Sequence, residues 1–237
     1  MKLIDDLLKS VEDADSEIRQ VIIGLHWTVV LSKYAGMAHT YKIKGKTELP
    51  FSGNFKGKSA LEVAKGIKSW DNLEATLGLA ALNSLIKPAD GVKESVNTRI
   101  MDMCGDKTIT VVGRFPFNRE AGLRAKKAYF LEIEPEEDEL PSFASEEVIP
   151  ESDIVVISAT AIINKSLPRL LELSIGRKCI VLGPSTPLND VLFDYGVDIT
   201  AGVNISDPDR IACSAGEGVK SFKKLSGIEP IIRFKAD

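Results

Sequence analysis

The chain has 237 residues, 44% of them hydrophobic and 27% charged, with a formal net charge of −4 and a pI of about 5.4. These proportions describe an ordinary globular protein, long enough for one large domain or two small ones. The acidic balance argues against nucleic acid as a partner, and no apolar run approaches the roughly 18–20 residues that span a bilayer.

Three cysteines, Cys104, Cys179 and Cys213, stand far apart. Without local spacing they read as reduced thiols of a cytosolic protein, Cys179 being a small core residue within an apolar strand. The first eleven residues alternate apolar side chains with Asp5, Asp6 and Lys9 and lack the basic-then-apolar pattern of a secretory signal. A cytoplasmic location is therefore expected, and base rates for such proteins favour a homodimer.

Taken in chain order, Leu3, Ile4, Leu7, Leu8 and Val11 recur at helical spacing, which predicts a helix over 3–13. Residues 19–32 are rich in Val, Ile, Trp and Thr, predicting two strands joined by a turn near 24–26. A third short strand is expected over 38–43, then a glycine-containing loop to 57. The pattern turns helical at 59–67. Asp71 reads as the N-cap of a second helix over 72–86, apolar nearly all round and so placed between layers. Pro88, Asp90 and Gly91 end that helix, and 95–104 predicts another.

From Asp106 short β-rich runs alternate with helical stretches. Strands are expected at 108–112, 128–133, 153–158, 178–182 and 198–201, with helices near 120–127, 165–174, 188–195 and 208–222. This alternation predicts a Rossmann-like parallel sheet with covering helices, set apart from the first 105 residues. The acidic stretch 134–150 is read as a surface connection.

Ligands of open parallel sheets bind beyond the C-terminal strand ends, so those ends carry the functional reading. The strongest is Gly183-Pro184-Ser185-Thr186-Pro187. Gly183 permits an abrupt exit from the strand, Thr186 reads as an N-cap with Pro187 in the first helical turn, and free N–H groups of Leu188 and Asn189 would then bind an anion. A capped helix alone would explain most of this loop, but Ser185 has no evident structural duty. Thr160 and Asn164 follow the strand at 153–158 and could reach the same cleft, or simply cap a helix. Asp207 and Pro208 read as a helix start. Gly113 and Phe115 follow the strand at 108–112, where one glycine falls short of a dinucleotide fingerprint. Glu132, nineteen residues beyond Gly113 at the end of the next strand, stands where an acid would bond a ribose hydroxyl.

In the buried helix, Glu74 and Gly78 lie one turn apart. A carboxylate there needs a partner, with Arg99, Arg114 or a ligand cation as candidates, and Gly78 would admit another backbone. Asn83 faces away and could bond loop backbone. The two histidines, His26 and His39, do not form a metal-ligand spacing, and Ser185 lacks a base, so neither a closed zinc site nor a Ser-His-Asp arrangement is supported.

The succession Glu74, Gly78 to Asn83, Gly113-Arg114-Phe115, Asn164 and Gly183-Pro184-Ser185-Thr186-Pro187 resembles the domain-of-unknown-function family labelled "putative heavy-metal chelation", over nearly the whole chain. The resemblance implies an α/β with α+β architecture: an enolase-N-terminal-like domain over 1–105, a Rossmann-like domain over 106–237, and an active site in the cleft between them. Matched by motif position, Glu74, Asn83, Gly113, Phe115, Asn164 and Gly183, Pro184, Ser185 and Thr186 carry over as ligand-binding. It implies handling of a transition or heavy metal ion, or of a metal chelate, with Glu74 facing the cation and the Ser185/Thr186 loop an anionic part. The likeness to enolase concerns fold alone. The alternative is a Rossmann-type enzyme acting on a small anionic substrate, with a nucleotide-like cofactor over Gly113 and Glu132.

Overall fold

The computed structural model describes residues 2–41 and 48–236. Chain order begins with α1 (Lys2–Lys9), whose Leu3, Ile4, Leu7 and Leu8 are buried. The strands β1 (Gln20–Ile23), β2 (Trp27–Leu31) and β3 (Ala35–His39) form an antiparallel sheet in that order. A short helix α2 (Ala60–Ala64) follows, then a tight 3-10 turn at Lys65–Lys68, and then α3 (Asn72–Asn83). The remaining elements are α4 (Val96–Cys104), β4 (Thr108–Val112), α5 (Asn118–Arg124), β5 (Lys127–Glu132), β6 (Leu140–Pro141), α6 (Ser145–Val148), β7 (Ile154–Ser158), α7 (Leu167–Leu173), β8 (Lys178–Leu182), α8 (Val191–Asp194), β9 (Ile199–Ile205), α9 (Pro208–Gly216) and β10 (Ile228–Phe234). Together they make a two-domain α/β fold: a small antiparallel sheet with helices, then a mostly parallel seven-stranded sheet.

The large sheet runs β10-β9-β8-β7-β4-β5-β6, parallel throughout except for β10 against β9. In order of appearance its parallel strands read 3-2-1-4-5-6, the Rossmann order, in which the chain reverses direction of growth between the first and fourth strands. Here that switch point lies between β4 and β7.

Both faces of this sheet are covered, and the period of two sorts the side chains. Val155, Ile157, Cys179 and Val181 face one core, and Ile154, Val156, Ile180 and Leu182 face the other. The first core is continuous with α1, α2 and α3 of the small domain, so the two domains share buried apolar surface. The helix α4 packs with the second core through Ile100, Met101 and Cys104. Burial pushes the Cys179 thiol up to about 12, consistent with a core residue.

Several boundaries differ from the sequence expectation, each for a local reason. The third strand occupies Ala35–His39 rather than 38–43, because Ser32 N–H bonds the Tyr34 carbonyl in a tight turn that brings Ala35 directly opposite Leu31; residues 42 and 43 of the expected strand lie outside the described residues, as do 44–47 of the loop. The second helix stops at Asn83 rather than 86. There the Ser84 hydroxyl donates to the Ala81 carbonyl and shares a hydrogen bond with the Ser32 hydroxyl, and the Ser84 carbonyl accepts from the Tyr34 N–H. The connection 134–150 holds β6 and α6, and β10 closes an edge that the sequence pattern left unassigned.

As expected, Asp71 caps α3, accepting from the N–H groups of Leu73 and Glu74. Gly78 also serves the expected close approach: a Cβ there would overlap the backbone nitrogen of Ile67 in the Lys65–Lys68 turn. Gly78→Ala must push that turn off α3, and overpacking of this kind costs about 1–3 kcal/mol. A drop in the urea midpoint without a change in slope is the expected result.

Candidate functional site

The small domain packs on the large one through shared apolar cores, and its strand β3 makes polar contact with the turn at the C-terminal end of β8. At the end of β8, the His39 backbone N–H donates to Ser185 Oγ at 2.8 Å. Ser185 is 2% exposed. Asn83, the last residue of α3, donates from Nδ2 to the Met37 carbonyl at 3.0 Å and to the Ser185 carbonyl at 3.1 Å. One strand further along, Asn164 Nδ2 donates to the Tyr41 hydroxyl at 3.3 Å, while its Oδ1 accepts from the Ser166 N–H and hydroxyl. Asn164 thus holds the turn before α7 and ties the two domains, and the expected helix cap is not made.

This arrangement revises the reading of the Gly183–Thr186 loop. The loop is a tight turn, with Gly183 at φ +128° and the Thr186 N–H bonded to the Gly183 carbonyl. Thr186 caps no helix. The helix that follows has four residues, Val191–Asp194, and it is Asn189 whose side chain accepts from the Val191 N–H. The expected anion site on the N–H groups of Leu188 and Asn189 is therefore not formed at a helix start. Contact with β3 pins the turn earlier than its local sequence suggests. Pro184 and Thr186 instead wall a small cavity beside Asn83. By contrast, Asp207 caps α9 through the Arg210 N–H with Pro208 next, as expected of a structural device.

At the switch point, Gly113 adopts φ +113°, and a Cβ on it would come within 2.9 Å of Ser158 Cβ. Only glycine lets β4 leave the sheet so close to β7. The Gly113 carbonyl accepts from Asn118 Nδ2, and Asn118 Oδ1 accepts from the Phe115 N–H, which folds the loop back on itself. Phe115 stacks on Phe117 at 5.2 Å between centroids. The hydroxyls of Ser158 and Thr160 share a 2.8 Å hydrogen bond. Glu132 ends β5 with its carboxylate accepting from the Ile133 N–H.

Two ionisable groups here are displaced from their ordinary values. Burial raises the Tyr41 phenol, and the negative charges of Glu132 and Glu134 push it further the same way. Burial lowers the Lys165 ammonium to about 8, and its Nζ donates to the Ile163 carbonyl at 2.7 Å. Lys165 also sits at φ +68°, a conformation that costs a non-glycine residue energy. Sequence reading missed both Tyr41 and Lys165. Tyr41 belongs to the other domain, and nothing in its neighbours marks it; Lys165 adjoins Asn164 and could have been noted by position.

Glu74 stands apart from this row. It is half-buried and accepts from the Ser69 hydroxyl at 2.8 Å, beside Gly66. The arginines expected to pair with it are engaged elsewhere, Arg114 with Glu136 and Glu139 and Arg99 with Glu94. A hydroxyl and a partly wet position answer the carboxylate's needs without a cation. The structure therefore brings Gly113, Phe115, Glu132, Thr160 and Asn164 to one end of the strand row, and Asn83 with Gly183, Pro184, Ser185 and Thr186 to the other. Among the described residues, no group of three His, Cys, Asp or Glu side chains could hold a metal ion. Nor is any described helix long and apolar enough to cross a membrane.

Comparison with known proteins agrees with this architecture. The profile of the DUF364 family, described as "Putative heavy-metal chelation", matches residues 97–230, and that of DUF4213, with the same description, matches residues 4–86. A crystal structure of a DUF364 protein of unknown function from Desulfitobacterium hafniense DCB-2 superposes with a TM-score of 0.85 at 26% identity, covering 99% of this chain and 98% of that one. A DUF364 protein of unknown function from Pyrococcus horikoshii has the same fold, with a TM-score of 0.81 at 20% identity over 98% and 100% of the two chains. Comparison with proteins of curated function returned no match.

Two outcomes are expected of the contact between domains. Ser185→Ala leaves the buried His39 N–H without an acceptor, which costs about 1–3 kcal/mol in chemical denaturation. His39 itself is held below its usual 6.5, first by burial and then by the nearby His26 charge. The unfolded chain therefore takes up the proton more readily. The stability contributed by the neutral ring is complete above the unfolded value and is lost as pH falls below 6.5 toward the folded one. A melting curve series through that window should show this decline, and His39→Phe should flatten it.

Proposed function

From the premise that the chain belongs to the DUF364 family, described as "Putative heavy-metal chelation", we propose that it binds a heavy metal ion already enclosed by an organic chelator, with the complex seated at the β4–β7 switch point. The observation that carries this reading is the donor set. A bare transition ion is held by several thiolate, imidazole or carboxylate ligands brought together, as in closed zinc sites. Among the described residues no such group of three exists. Near the switch point stand a phenol bonded to an amide, Tyr41 with Asn164, a pair of bonded hydroxyls, Ser158 with Thr160, and the half-buried amine of Lys165 next to Asn164 in the chain. Such groups hydrogen-bond the periphery of an organic ligand and leave the metal to the chelator.

Tyr41 Oη accepts from Asn164, which leaves its own hydrogen to donate. Lys165, when protonated, supplies positive charge for an anionic chelate, and its lowered value makes that charge pH-dependent near 8. Gly113 keeps the floor of the site at backbone level, and Phe115 gives it an apolar side. Glu74, placed on the far side of α3's first turn against Ser69, has no part in this version.

Calorimetry tests the reading with nickel(II)–nitrilotriacetate, nitrilotriacetate alone and nickel(II) alone. The complex should bind at least about tenfold more tightly than either component, and Tyr41→Phe should weaken it by up to about tenfold, as one hydrogen bond allows. Stoichiometric, tight binding of nickel(II) without the chelator would sink the idea.

A second reading rests on the strand order together with Glu132. In Rossmann sheets an acid at the end of the second strand bonds a ribose hydroxyl, and Glu132 ends β5, the second strand in order. A nucleotide-like cofactor would then lie over Gly113 and serve chemistry on a small anionic substrate. A rise in melting temperature with adenine-containing cofactors, lost in Glu132→Gln, would favour this reading over the first.

A further inference from the structure

A second place in the seam is chemically unfinished. Between the Gly36–Met37 segment of β3, the end of α3 and the Gly183–Thr186 turn lies a cavity of about 40 Å³. Two of the residues lining it carry buried side-chain oxygens without a hydrogen-bond partner among the described residues, Asn83 Oδ1 and Thr186 Oγ1. Thr186 is only 4% exposed. Leaving such atoms unbonded is costly, of the order of 1–3 kcal/mol each, so two in one cavity call for an occupant. The volume exceeds the roughly 10–15 Å³ that a single water requires. The cavity also adjoins a larger open groove of about 650 Å³, with which it shares Tyr34, Ile86, Lys87, Pro88 and Leu188. It is therefore the deep end of a groove of ligand size.

The chemistry of the walls narrows the guest. The Asn83 amide nitrogen is already spent on the Met37 and Ser185 carbonyls, so its oxygen is left to accept. The Thr186 hydroxyl can donate. One hydroxyl group on a ligand satisfies both, donating to Asn83 Oδ1 and accepting from Thr186. Among the described residues, Lys87 is the only charged one that lines the cavity, and it lines the groove as well. Neither Lys87 nor Lys33, also in the groove, takes part in an ion pair among the described residues, whereas the groove's Arg233 is already paired with Asp190. Among the described residues no carboxylate lines the cavity, so a metal ion or an ammonium group would enter it uncompensated, whereas Asp90 and Asp194 line only the outer groove.

We propose that this groove binds a small hydroxy acid, its hydroxyl seated between Asn83 and Thr186 and its carboxylate beside Lys87. The site lies at the β8–β9 end of the seam, away from the switch point, and does not depend on the chelate reading.

The test uses 3-hydroxypropionate and propionate, two acids that differ only in the terminal hydroxyl, titrated against the full chain in metal-free buffer and followed by NMR. The hydroxy acid should bind about tenfold more tightly, the worth of one to two hydrogen bonds. Thr186→Val, which keeps the shape and removes the orphan hydroxyl, should erase that preference without lowering the melting temperature. Lys87→Gln, at an exposed position where folding is not at stake, should weaken both acids alike. Equal binding of the two acids, or no binding of either, overturns the proposal. So does a Thr186→Val variant that melts lower while discriminating as before, which would assign the cavity to a structural water.

Discussion

The polar part of the interface between the two domains turns on how the outer edge of β3 is satisfied, beside the apolar cores that the domains share. β3 is an edge strand, bonded to β2 on one side only, and a free edge presents backbone groups that must find partners or face water. Here the partners come from outside the sheet. Ser185 Oγ accepts from the His39 N–H, and Asn83 Nδ2 donates to the Met37 carbonyl and also to the Ser185 carbonyl. Three polar contacts thus join an edge strand, a helix end and a strand-end turn. They also explain why the turn at Gly183 is tight rather than the first turn of a helix.

Once β3 is laid down there, the geometry of the remaining surface follows. The middle of the seam is closed by Ser185, and the first core runs beneath it from α1 and α3 to β7 and β8. Polar groups not used in the clasp stand at the two ends. At one, Tyr41 reaches over to Asn164 beside the switch point of the Rossmann sheet. At the other, the neck between Asn83 and Thr186 leads out to the groove that contains Lys87. The two ends differ in character, the first rich in hydroxyls with one displaced amine, the second built around two unbonded oxygens.

The family description speaks of heavy-metal chelation, while the described side chains bring together hydroxyls, amides and amines rather than thiolates, imidazoles and carboxylates. These facts are compatible if the ligand, rather than the protein, supplies the metal's first coordination sphere. Soft and borderline ions prefer sulfur and nitrogen ligands, and Cys104 and Cys179 are buried in cores, where burial raises both thiols and keeps them protonated.

What the sequence by itself determined was local. The alternation after Asp106 reads out as a parallel sheet because buried strands and covering helices impose different periods on apolar residues. Asp71, Asp207 and Pro208 mark helix starts, because capping is a matter of three or four consecutive residues. Gly78 announces close approach, because absence of a Cβ has few other uses, whereas the close approach at Gly113 shows only in the packing of β4 against β7. Tertiary structure alone decided which polar groups are spent and which are free. Ser185 looked idle because its partner, His39, is 146 residues away. Thr186 reads locally as a cap but ends a tight turn that contacts β3, and Glu74 reads as needing an arginine but is met by Ser69. Hydrogen bonds between distant segments leave no trace in local spacing, since either partner alone is an ordinary polar residue. The Gly-Pro-Ser-Thr-Pro motif was therefore visible in the sequence, while its division into a clasp at Ser185 and an unfinished pocket at Thr186 was set only by the packing of β3 across it.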